Sequence, residues 1–104
     1  MPLAQEPCPA VVNPLSDAET QALLGQVSDW AIESGKLVKT FRFANYYETL
    51  AFVNASAYIS HKVDHHPELH VTYNTVRIAY DTHSVNGLSR NDFVCAARTD
   101  ALLG

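Results

Sequence analysis

Cysteine is scarce in this chain. Cys8 and Cys95 are the only two, they form no CxxC pair, and neither stands close in sequence to the histidines. They read as two free thiols in a reducing compartment. Basic runs are lacking too: the seven Lys and Arg are scattered from Lys36 to Arg98, and the formal charge is −4 at pH 7. That excludes the basic patch on which DNA or RNA binding depends. No apolar run approaches the roughly 18 residues that a membrane span needs. The opening MPLAQEPCPAVVNP has neither the basic n-region nor the apolar h-region of a secretory signal. Internal repeats are absent as well. These absences point to a soluble, cytoplasmic domain.

What is present suits one globular domain: 104 residues, 47% hydrophobic and 17% charged. Residues 1–14 read as a flexible, proline-punctuated arm, and residues 15–104 as the domain proper. Ser16 to Glu19 (SDAE) has the form of a capping box and opens a helix that is expected to end near Ser28. Two short alternating runs about Ser34-Gly35-Lys36 follow as a hairpin. Asn45 with Glu48 caps the longest helix, expected over 46–64, and Pro67 is expected to stop it and leave His66 extended. A second hairpin turns about Asn74-Thr75, and Ser89 to Asp92 (SRND) caps a final helix from about Arg90. The order αββαββα predicts an α+β fold, a four-stranded antiparallel sheet with three helices packed on one face. Two apolar stripes run along the long helix, Phe52, Ala55, Ile59 and Val63 beside Leu50, Val53 and Ala57. So broad a surface serves either a partner subunit or the core of the monomer.

Histidine is distributed very unevenly. The first sixty residues contain none, four of the five fall in HKVDHHPELH (61–70), and the fifth is His83. His61 and His65 are four apart, a spacing that puts both on one helix face and suits a zinc pair. A zincin, however, has glutamate after the first histidine, and here Lys62 takes that place. Proton transfer is the second reading: imidazole titrates near about 6.5, so His65, His66 and His83 could donate and accept at neutral pH. A solvated patch without a role is the third. His70, between Leu69 and Val71, reads as a polar-face strand residue. Ser56, Ser60 and Ser84 belong to no serine-hydrolase motif, so the proton-transfer reading predicts an elimination or isomerisation without a covalent intermediate.

The spaced pattern of His61, His65-His66-Pro67, Tyr73, His83 and Asp92 resembles the signature of the pterin-4a-carbinolamine dehydratase family. Trp30, Phe41-Arg42-Phe43, Thr82-His83 and Gly87-Leu88-Ser89 match in place as well, so the resemblance covers nearly the whole chain from about Leu15. It implies the αββαββα fold and a homo-oligomer, a dimer or tetramer, built on the long helix. It implies loss of water from a 4a-hydroxytetrahydropterin to give the quinonoid dihydropterin, a pterin-recycling step that needs no metal and no redox cofactor. Carried over by position, His65 and His83 are the acid–base pair and His66 orients the pterin. His61, Asp64, Asp81, Thr82 and Ser84 fall in the substrate-contacting segments. The family often has glutamate where His61 stands, and Leu69 and Asp81 replace a tryptophan and a serine of the mammalian type. A second class is a non-catalytic binding or assembly protein on the same scaffold. The mammalian member is a partner of a homeodomain transcription factor, and bacterial relatives are linked to Rubisco assembly.

Overall fold

The computed structural model describes residues 2–104; Met1, the first residue of the expected arm, lies outside the described residues. Helix α1 spans Asp17–Leu24, strand β1 Ala31–Glu33, β2 Lys36–Arg42, helix α2 Tyr46–Val63, β3 Glu68–Val71, β4 Thr75–Tyr80 and helix α3 Arg90–Ala101. The four strands form one antiparallel sheet in the order β1-β2-β4-β3. This is the α+β arrangement expected from the order of elements.

Local chemistry accounts for most boundaries. In α1, Ser16 Oγ accepts from the Glu19 N–H at 3.1 Å, and Glu19 Oε1 accepts from the Ser16 N–H at 2.9 Å. The helix ends at Leu24, four residues before the expected end, with Gly25 as its C-cap, and the next N–H groups, of Gln26 and Val27, turn back to Leu23 O and Leu24 O. Ser34 and Gly35 form the first hairpin turn, both at positive φ (51° and 78°), as a two-residue turn matched to strand twist requires. Lys36 therefore belongs to β2.

Register separates the two faces of the sheet. Leu37 faces Tyr80, Lys39 faces Ile78 and Phe41 faces Val76, and this side carries the helices and the core. Tyr80, Phe93, Leu37, Ile78, Val76 and Val94 are its largest fully buried side chains. Charged groups occupy the other side, where Lys36 pairs with Glu68 and Arg77 Nη2 lies 3.5 Å from Glu33 Oε1. His70, opposite Arg77, is on this polar side, as read from the sequence. Lys39, although on the core side, is held by Asp100 Oδ1 at 2.8 Å, and Asp100 Oδ2 accepts from Trp30 Nε1 at 2.9 Å.

The buried line of α2 departs from the apolar stripes. Thr49, Phe52, Ser56 and Ser60 face inward, while Ala55, Leu50 and Ala57 are exposed. Small hydroxyl residues let the helix approach closely, and the hydroxyls of Thr49 and Ser56 find backbone partners. Thr49 Oγ1 donates within reach of Asn45 O (2.8 Å) and Tyr73 O (2.9 Å), and Ser56 Oγ donates to Val53 O (2.9 Å). Tyr46, Tyr47, Leu50 and Tyr58 of α2 remain exposed, as do Leu69 and Val71 on the edge strand β3.

Within the segment 1–14, expected as a flexible arm, the stretch from Leu3 to Pro9 contacts α3. Leu3 is buried in the core. Glu6 accepts two hydrogen bonds from the Arg90 guanidinium, at 2.7 and 2.8 Å, and its backbone carbonyl accepts from Arg98 Nη2 at 2.6 Å. Asn91 Nδ2 donates to Pro9 O at 2.9 Å. The anchors are single side chains far away in sequence, so composition could not reveal them. Among the described residues, no helix is long and apolar enough to cross a membrane.

Candidate active site

Helix α2 stops three residues short of Pro67's own neighbour His66. Asp64 takes the left-handed conformation (φ 53°), and the His65 N–H donates to Ser60 O at 3.1 Å. This bend turns His65 inward. Its side chain is only 14% exposed, and its ring stacks on Tyr80 with centroids 5.9 Å apart and planes 7° apart.

His65 Nε2 donates to Asp92 Oδ1 at 2.6 Å. Asp92 is completely buried in the first turn of α3, where its other oxygen accepts from Thr82 Oγ1 (2.7 Å) and from the Ser89 N–H (2.9 Å). Thr82 thus spends its proton on Asp92, and Ser89 Oγ donates in turn to Thr82 Oγ1 at 2.8 Å. The helix cap read from SRND is therefore also the anchor of a histidine. The hydrogen bond to Asp92 raises the pKa of His65 above the ordinary 6.5, against the opposing effect of burial. With Nε2 committed, Nδ1 is the ring atom left for a ligand.

His65, His66 and His83 line one cavity of about 400 Å³, together with Val63, Asp64, Asp81, Thr82 and Ser84. Its size lies within the usual range for a small-molecule site. His83 opens a short 3-10 turn (His83–Val85) after β4; its side chain is 94% exposed, with Nε2 3.9 Å from Asp81 Oδ1. His66 is 63% exposed, with Nδ1 3.9 Å from Asp64 Oδ1. The three imidazoles therefore differ: one is buried and fixed, and two are open to a ligand.

Of the site residues expected from the sequence, only His61 is not brought to this cavity; it is exposed on α2, one turn before the bend. Among the described residues, no group of three or more His, Cys, Asp or Glu is gathered as a metal ion would need. Thr82 lines the cavity, but its hydroxyl serves the buried network. Sequence reasoning missed the remaining wall, which comes from Cys8, Pro9, Ala10 and Val12 of the N-terminal segment and from Asn91. Asp92 had a signal, its fixed spacing from His83, but not one that identified His65 as its partner.

Comparison with known proteins bears on the family and the fold. A family model described as pterin 4 alpha carbinolamine dehydratase matches residues 13–102. A Nitrosomonas eutropha protein, provisionally named a pterin-4-alpha-carbinolamine dehydratase, is 48% identical over 99 residues, covering 94% of this chain and 88% of that one. A Brucella melitensis crystal structure, described as a transcriptional coactivator/pterin dehydratase, superposes with a TM-score of 0.84 at 30% identity. It covers 88% of this chain and 100% of its own. A pterin dehydratase-like protein identified as a RuBisCO assembly factor of the alpha-carboxysome gives 0.60, also at 30% identity, over 72% of this chain and 87% of its own.

Proposed function

This chain belongs to the pterin 4 alpha carbinolamine dehydratase family, and we propose that it removes water from a 4a-hydroxytetrahydropterin by histidine acid–base catalysis. The observation that carries this reading is the placement of three imidazoles on one cavity, with His65 fixed by a buried carboxylate. Dehydration at C4a needs an acid for the departing hydroxyl and a base for the proton on N5. His65, with its raised pKa, is the acid and delivers its proton from Nδ1 to the hydroxyl, which leaves as water. The N5 lone pair forms the new double bond to C4a, and exposed His83 takes the N5 proton. His66, with Asp64, Asp81 and Ser84 around it, binds and orients the ring. The elimination is balanced by these proton transfers alone, so the proposed reaction involves no metal or redox cofactor.

The test is direct. Purified protein is expected to accelerate the decay of 4a-hydroxytetrahydropterin, generated in situ by an aromatic amino-acid hydroxylase and followed by absorbance. Decay at the spontaneous rate would remove the reading.

Similarity to the RuBisCO assembly factor supports a second reading, a binding or assembly role on the same scaffold. It ranks lower because that match is less extensive than the Brucella one and because the three cavity histidines are all present here. The proposed assembly is a homo-oligomer, a dimer or tetramer, through α2, supported by the exposed Tyr46, Leu50 and Tyr58. Sedimentation equilibrium is expected to return a multiple of the chain mass; a monomer at micromolar concentration would count against it.

A further inference from the structure

The N-terminal wall of the cavity carries a group that the proposed dehydration does not use. Cys8 and Cys95 come from opposite ends of the chain, yet Cys8 packs against the buried cluster to which Cys95 belongs. Cys95 is fully buried on α3, whereas Cys8 is half-buried, packs on that core and lines the cavity shared with His65 and His83. The backbone is anchored on both sides of Cys8: Glu6 O by Arg98 Nη2 and Pro9 O by Asn91 Nδ2. Asn91 and Arg98 lie four residues before and three residues after Cys95, on the same side of α3, so these anchors hold Cys8 alongside Cys95.

The two sulfurs differ in kind. The hydrogen bond from Cys95, and then the positive charges of Arg98 and His65, bring the Cys8 pKa down to about 7. Arg98 Nε is, among the described residues, the one buried side-chain nitrogen or oxygen without a hydrogen-bond partner, so this cation is not fully spent on protein acceptors. Cys95 is pushed the other way by its hydrogen bond to Cys8 and by burial. An accessible thiolate beside a buried neutral thiol is the division of labour between an attacking and a resolving cysteine.

We propose that Cys8 and Cys95 are a peroxide-oxidisable dithiol pair whose disulfide ties the N-terminal segment to α3 at the wall of the cavity. The Cys8 thiolate attacks a peroxide oxygen: an S–O bond forms, the O–O bond breaks, and the released hydroxide or alkoxide takes up a proton. Cys95 sulfur then displaces hydroxide from the Cys8 sulfenic acid. The S–S bond forms, the S–O bond breaks, and the proton of Cys95 leaves with the hydroxide as water. Two electrons pass from the thiols to the peroxide, and a dithiol reductant returns them. The proposal is independent of the pterin reaction.

The test treats reduced, natively folded full-length protein with hydrogen peroxide and reads intact mass, peptide map and melting temperature. The wild type is expected to lose the mass of two hydrogen atoms as a single chain, with Cys8 and Cys95 joined in one mapped peptide pair. Dithiothreitol is expected to restore the mass. Closing so long a loop is expected to raise the melting temperature by about 5 °C or more. The Cys95→Ala variant should stop at added oxygen on Cys8, and Cys8→Ser should keep its mass. Oxygen addition without a bridge in the wild type, disulfide-linked dimers, or an unchanged mass would each overturn the proposal. The wild-type result decides the question even if a variant at the buried Cys95 does not fold.

Discussion

Replacing His65 and His83 together by alanine is expected to slow dehydration of 4a-hydroxytetrahydropterin by about 10²- to 10⁴-fold, the range that positioned acid–base groups supply. His65→Ala alone should account for most of the loss, since His65 is the imidazole that a buried carboxylate holds in place. His66→Ala should instead raise KM with kcat largely kept, the pattern of a group that binds ground state and transition state alike. The pH profile carries an independent sign. As an acid, His65 must be protonated, so kcat falls as pH rises through its raised pKa. Asp92→Asn removes the charge that raises it, and the fall should then begin at lower pH. Equal rates for wild type and the double variant would remove the catalytic assignment, and an unmoved pH limb in Asp92→Asn would remove His65 as the acid.

Asp92→Ala is expected to cost about 3–5 kcal/mol of unfolding free energy, the scale for deleting one partner of a buried charged network. Three donors lose their acceptor at once: His65 Nε2, Thr82 Oγ1 and the Ser89 N–H. One of these contacts closes the α3 cap itself, one ties it to Thr82 just beyond β4, and one ties it to His65 just beyond α2. Urea unfolding measures the change, and a shift within about 0.5 kcal/mol of wild type would mean that the network contributes no more than an ordinary surface contact. Linkage gives a second check. The folded-state pKa of His65 is raised, so its contribution is complete below the unfolded value of 6.5 and is lost as pH rises through the folded value. The stability gap between wild type and His65→Ala should therefore narrow with rising pH across that window.

Both predictions rest on Asp92, and it shows where the sequence stopped being legible. SRND is a cap at a spacing of three, and a cap is recognised because its partners are neighbours in the chain. The same carboxylate holds His65 from 27 positions away, and no local rule connects the two. The N-terminal segment presents the same difficulty over a longer range. Its prolines read as looseness, but Arg90, Asn91 and Arg98 reach it across 84, 82 and 92 positions. The α2 stripes failed for a different reason. Apolar periodicity predicts which residues prefer burial, whereas close packing selected the small Thr49, Ser56 and Ser60, and the hydroxyls of Thr49 and Ser56 bond to backbone carbonyls.

By itself, the sequence determined the order of helices and strands, their caps, the Ser34-Gly35 turn, and the histidine pattern that marks the family. These are set by neighbours within a few residues, where steric preference and hydrogen-bond reach act directly. Tertiary structure moved the division of HKVDHHPELH from Pro67 to Asp64, turned His65 inward against Asp92 and left His61 on the surface. It also decided that the ends of the chain meet, packing Cys8 on the core that holds Cys95, beside those histidines. Such contacts depend on how helices and sheet pack around a shared core, a property of the whole chain that no short stretch encodes.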